Sequence, residues 1–167
     1  KIHAKNNSLF LNDFVFELNN GIVTGKITDA SNCFNINSIV TKVKNEFKPN
    51  EKNIEVFKKL MSLNEVDLNL TDEAIDQIID WIDDDSNPRA YGLEDYYYSG
   101  PLNNPKEYTG SRLFYALAEV KGLPAIRKIG WSIFEDNFCI FPDNKLNVNI
   151  NTLEMRHDML LASMFSN

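Results

Sequence analysis

Six carboxylates fall in the sixteen residues from Asp80 to Asp95, within "IIDWIDDDSNPRAYGLEDYYYSG", against one arginine or lysine, Arg89. Like charges at that density repel one another unless a cation sits among them, and their spacing says which kind. Asp83, Asp85 and Asn87 alternate, and Glu94 lies eleven residues after Asp83. An EF-hand loop takes oxygen ligands at positions 1, 3 and 5, a backbone carbonyl at 7 and a bidentate glutamate at 12. With Asp83 as position 1, Asp85 falls at 3, Asn87 at 5, the Arg89 carbonyl at 7 and Glu94 at 12. All are hard oxygen donors with no histidine or cysteine nearby, which favours calcium over zinc or copper. Magnesium tends to keep several waters rather than fill an all-protein cage. Two features depart from the motif: position 6 is Pro88 instead of glycine, and Pro101 leaves little room for an outgoing helix. The alternative reading is a solvated acidic loop after an acidic helix.

Catalysis is not expected. Glycosidase carboxylates flank a cleft, whereas these are local neighbours. The sequence shows no nucleophile elbow, phosphate-binding glycine loop or cysteine–histidine constellation. The two histidines, His3 and His157, lie near the chain ends and are expected at the surface. A net charge of −7 repels phosphate backbones. Two cysteines, Cys33 and Cys139, are too few for a disulfide scaffold and match no zinc spacing. They are either two buried thiols or one long-range bridge, and a periplasmic setting would favour the bridge.

The elements that must carry the loop follow from hydrophobic periodicity. The 167 residues suit one domain, or one domain with a large insertion. "FLNDFVFEL" alternates, Asn20-Gly21 signals a hairpin turn, and "IVTGKITDA" follows as a second strand. "CFNINSI" alternates again, with Phe34, Ile36 and Ile39 facing inward. From Pro49 the period changes. Ile54, Phe57, Leu60 and Met61 share one helical face. Thr71 is predicted to cap a second helix, with Ile75, Ile78, Ile79 and Ile82 as its apolar stripe and Trp81 as a core anchor. Tyr96, Tyr97 and Tyr98 are predicted to pack against the loop. A third helix is predicted over Ser111 to Lys121, ended by Gly122, and a fourth after Pro124. "FCIFP" and "KLNVNI" read as short strands or extended segments and "TLEMRHDMLLASMF" as an amphipathic helix. Strands then helices make the class α+β, with the switch near Thr41.

Five motifs in order resemble one family. They are "ITDASNCFNIN", "DWIDDD", "YGLEDYY", "LAEVKGLP" and "LNVNINT", running from about Ile27 to about Thr152. The chain is similar to the K-type minor pseudopilins of type II secretion systems, the general secretion pathway protein K family. The resemblance implies a pilin-like β portion, residues 1–42, and a large inserted α-helical domain, residues 43–167, that holds the calcium loop. It implies a place at the tip of a periplasmic pseudopilus that supports export of folded proteins across the outer membrane, in complex with I-type and J-type minor pseudopilins. It also implies bound calcium, with the acidic motif falling on Asp80, Asp83, Asp85, Glu94 and Asp95. Spacing makes Asp83, Asp85, Asn87, Glu94 and the Arg89 carbonyl the ligands, leaving Asp80 and Asp95 for a second ion or to orient the others. Asn32 and Cys33 replace the family's glycine and arginine, so Cys33 has no counterpart in the pattern. The chain opens at "KIHAKNN" and lacks the family's N-terminal transmembrane helix. It is therefore expected to be the periplasmic fragment of an inner-membrane-anchored protein of a Gram-negative bacterium, or a short member.

Two other readings stay open. "VKGLPAIRKIG" resembles a helix-hairpin-helix, with Lys121, Arg127 and Lys128 supplying positive charge for a nucleic-acid phosphate. The acidic balance argues against it. A calcium-stabilised interaction module outside secretion is the other.

Overall fold

Asn50 and Asp67 start the two long helices. In the computed structural model, which describes residues 14–25 and 29–165, the Asn50 side chain accepts a hydrogen bond from the Asn53 amide. It opens α1, Glu51–Leu63, which buries Ile54, Phe57, Leu60 and Met61. Asp67 accepts from the Asn69 and Leu70 amides and opens α2, Leu68–Ile82. The second helix thus begins three residues before Thr71, the cap expected from sequence. Thr71 is buried instead, its hydroxyl donating to the Asp67 carbonyl at 3.0 Å. An aspartate with free amides ahead of it is the better cap, and Asp72 and Glu73 then reach sideways. Asp72 pairs with Lys58 of α1 at 3.0 Å and Glu73 with Lys128 at 2.8 Å. Ile75, Ile78, Ile79 and Ile82 are buried as the stripe requires.

Among the described residues the strands form three two-stranded pairs. β1, Phe14–Leu18, and β2, Gly21–Gly25, pair antiparallel with Leu18 opposite Gly21, so the turn is Asn19-Asn20, one residue earlier than expected. Phe16, Leu18 and Ile22 of this hairpin are exposed. β3 is only Phe34–Asn35; the chain then tightens into a 3-10 turn over Ile36–Ile39, where continuous alternation was expected. β4, Val40–Val43, pairs antiparallel with β5, Glu46–Pro49. The boundary expected between residues 42 and 43 falls inside this hairpin. β3 pairs in parallel with β6, Phe138–Cys139.

Two residues per strand cannot hold a parallel pair by themselves. Phe34, Phe57, Phe134 and Phe138 surround it with ring centroids 4.9–5.7 Å apart. Each buried phenylalanine contributes about 1.5–3 kcal/mol. The bridge between Cys33 and Cys139 adds a covalent tie at the same place.

The remaining helices are short. α3, Asp95–Tyr98, is a single turn. The helix predicted over Ser111 to Lys121 is irregular until a 3-10 segment at Leu117–Gly122. One reason is that the Gly110 and Ser111 amides both donate to the Trp81 carbonyl, a tie to α2. α4, Pro124–Ile129, and α5, Trp131–Asn137, follow. α4 lies against α2, where the buried Gln77 side chain accepts the Ala125 amide at 2.9 Å. "KLNVNI" forms no strand. The last segment is a 3-10 turn, Met155–His157, then α6, Asp158–Phe165, lying against α1. His157 is buried rather than at the surface, because its Nδ1 accepts the Glu154 amide at 2.9 Å. Burial and then Arg156 lower its pKa. His3 lies outside the described residues. The fold is a mixture of helix and strand, and no helix among the described residues is long and apolar enough to cross a membrane.

Candidate metal centre

α2 ends where the acidic loop begins. Asp83 caps it in an extended conformation, its amide donating to the Ile79 carbonyl at 2.9 Å. Asp85 accepts the Asn87 amide at 2.8 Å, which turns the chain back. Glu94 sits at the head of α3. The result is that Asp83, Asp85 and Glu94 each bring one carboxylate oxygen within 4.8 Å of the others. Two oxygens on one calcium, at 2.3–2.6 Å each, stand no more than about 5 Å apart.

The electrostatics are those of a site whose carboxylates outnumber its one cation, Arg89. Asp80 and Glu94 are almost wholly buried. Asp80 Oδ1, Asp83 Oδ1 and Glu94 Oε1 are buried without a hydrogen-bond partner. A carboxylate oxygen in that state costs several times a normal hydrogen bond. Burial, with repulsion from neighbouring carboxylates added, pushes Asp80 and Asp83 up to about 6 and Glu94 up to about 7. The nearby cations are otherwise engaged. Arg89 pairs with Asp76 at 2.8 Å, and Lys48 with Glu46 at 2.7 Å. Three hard carboxylate donors spaced for a single ion, two of them, Asp83 and Glu94, with a buried oxygen left without a partner, fit calcium.

The other expected site residues take varied places. Asn87 is exposed, with its amide held by Asp85. The Arg89 carbonyl accepts the Gly92 amide at 3.1 Å. Asp80 lies beneath the loop, its Oδ2 accepting the Arg89 amide at 3.1 Å. Asp95 is drawn the other way, one oxygen accepting both the Thr109 amide and hydroxyl at 2.7 and 2.8 Å. Of the three tyrosines, only Tyr98 is buried; its ring meets Trp81 edge-on at 5.3 Å, and Tyr96 and Tyr97 are exposed. Trp81 also stacks on Phe114, as a core anchor should.

Two residues of the site escape a ligand-spacing argument. Asp76 accepts Arg89 Nε and the Tyr91 amide. Its signal was available, since it stands four residues before Asp80 and so on the same helical face. Gly92 is the other: a Cβ there would lie 1.8 Å from Asp80 Oδ2, so the backbone can pass only without a side chain.

Residues 32–142 match the family model for type II secretion system (T2SS), protein K. Type II secretion system protein K of Aeromonas hydrophila is 28% identical over 159 residues, covering 92% of this chain and 47% of that protein. The Klebsiella pneumoniae protein of the same name is 29% identical over 156 residues, covering 90% and 45%. The chain therefore spans about half the length of the curated relatives it matches. In the crystal structure of the GspK-GspI-GspJ complex from the enterotoxigenic Escherichia coli type 2 secretion system, one chain has the same fold. It superposes with a TM-score of 0.73 at 18% identity, covering 91% of this chain and 53% of that one.

Proposed function

Since the chain belongs to the type II secretion system protein K family, we propose that it is part of a minor pseudopilin at the tip of the pseudopilus, with a structural calcium in the Asp83–Glu94 loop. The convergence of Asp83, Asp85 and Glu94, with a buried, unpartnered oxygen on both Asp83 and Glu94, carries the calcium half of this reading. Asp83, Asp85, Asn87, Glu94 and the Arg89 carbonyl would hold the ion. When bound, it supplies the positive charge that Arg89 alone does not and ties the end of α2 to α3. The role is that of a scaffold rather than of an enzyme.

The partners follow from the family and from the related complex, whose name joins GspK to GspI and GspJ. We assign this chain I-type and J-type minor pseudopilins as neighbours in the periplasm, and a membrane anchor elsewhere in the whole protein. The exposed apolar hairpin β1–β2 fits a pilin-like sheet interrupted by the helical body, because a lone two-stranded ribbon is marginal in water. The helix-hairpin-helix alternative loses support: Lys128 is paired with Glu73, and Arg127 donates to the Lys121 and Gly122 carbonyls.

Two measurements test the reading. A hundredfold excess of calcium over its dissociation constant should stabilise the protein by about 2.7 kcal/mol, which at this size is a rise of roughly 5–10 °C in melting temperature. Glu94→Gln should lose most of that rise. Identical melting in calcium and in chelator would defeat the calcium half. Size exclusion with soluble I-type and J-type domains should give a ternary species; three folded proteins that never associate would defeat the other half.

A further inference from the structure

The loop's carboxylate ligands stand at its two ends, Asp83 and Asp85 at one and Glu94 at the other, and protein groups also hold its middle. Asp76 Oδ1 accepts Arg89 Nε at 2.8 Å, and Asp76 Oδ2 accepts the Tyr91 amide at 3.0 Å. One turn later on the same helix, Asp80 Oδ2 accepts the Arg89 amide at 3.1 Å. The Gly92 amide closes the turn on the Arg89 carbonyl. Residues 89–92 are thus pinned to α2 by protein groups alone. Asp76 lies seven residues before Asp83, and its side chain is 15% exposed, against 37% for Arg89.

We propose that Asp76 is a positioning residue for the cation loop, latching its middle to α2 so that the ends are held ready for the ion. This rests on the calcium reading above. The physical reason is preorganisation: ligands that must be ordered at the moment of binding cost affinity, and ligands already in place do not. A second consequence follows from charge. The Asp76 pair keeps the Arg89 guanidinium on the helix side. Without Asp76, the arginine is free to turn to the carboxylate cluster and compete with the ion. Residues that orient metal ligands in this way typically account for 10–100-fold in affinity.

The test compares the unmodified protein with Asp76→Ala and Arg89→Gln. Calcium titration by calorimetry should show about 10-fold weaker binding or more for Asp76→Ala. Arg89→Gln, which leaves the Tyr91 amide bond to Asp76 intact, should weaken it less. Hydrogen exchange of the unmodified protein in chelator should find the Tyr91 amide already protected. In Asp76→Ala that protection should vanish while the Ile78 and Ile79 amides of α2 stay slow, a pattern that general destabilisation would not produce. Unchanged calcium affinity in Asp76→Ala would overturn the proposal. So would a Tyr91 amide that becomes protected only when calcium is added, a result that needs no variant. If the unmodified protein takes up no calcium while its Tyr91 amide is protected, the calcium reading itself falls and the positioning role falls with it.

Discussion

A methyl group on Gly92 would stand 1.8 Å from Asp80 Oδ2 and 2.5 Å from Asp80 Cγ. Asp80 has no room to retreat: it is fully buried and its Oδ2 already accepts the Arg89 amide. Gly92→Ala must therefore break that bond or displace the loop. Leaving a buried polar pair unmade costs about 1–3 kcal/mol, so the melting temperature should fall by roughly 2–12 °C. The cause is checked with a double-mutant cycle. Asp80→Ala removes the obstruction, so adding Gly92→Ala to it should cost much less than Gly92→Ala alone. Strict additivity would place the strain elsewhere.

The carboxylates give the protein an unusual pH dependence. Asp80 and Asp83 at about 6 and Glu94 at about 7 lie above their unfolded values near 4. Between those limits the folded state binds more protons than the unfolded state. Stability in chelator should then decrease as pH rises from about 5 to 8, by on the order of a few kcal/mol. An ion needs the ionised groups, so calcium affinity should climb over the same interval, with protons released on binding. Saturating calcium should remove the decline. Melting curves at several pH values, in chelator and in calcium, check both signs. A chelated protein that gains stability toward pH 8 would show that these groups are not protonated in the fold.

How much of this was legible in the sequence depends on the range of the contacts. Helical stripes are local, and the buried faces of α1 and α2 fall where the periodicity put them. The three carboxylates at loop positions 1, 3 and 12 were likewise found by spacing and do converge. The tie of Asp95 to Thr109 could not be read from spacing, because Thr109 lies fourteen residues on, across a stretch with no period. The larger failure is "NCFNINS". Phe34, Ile36 and Ile39 face inward as expected, but Asn35, Asn37 and Ser38 are buried too. Asn37 donates to the Phe114 and Phe141 carbonyls and accepts the Phe114 amide. Asn35 does the same for the segment around residues 141–145. These side chains satisfy the backbone of irregular segments 77 to 110 residues away, and alternation of polar and apolar residues carries no trace of such partners.

The Cys33–Cys139 bridge acts on the same junction from the covalent side. It joins residues 106 apart, next to the β3–β6 pair. Cross-linking so long a segment restricts the unfolded chain, and the chain-entropy model gives about 4.7 kcal/mol for a loop of about 100 residues. Cys33→Ala with Cys139→Ala should therefore lower the denaturation midpoint substantially, while the phenylalanine cluster and the Asn35 bonds keep the native fold. Calcium should raise the melting temperature of this variant by as much as it does for the unmodified protein, because neither cysteine contributes to the loop. The bridge itself is checked by mass. The unfolded, unreduced protein should take up no alkylating label, and reduction beforehand should add two. Two labels without reductant would show free thiols, and the junction would then rest on packing and hydrogen bonds alone.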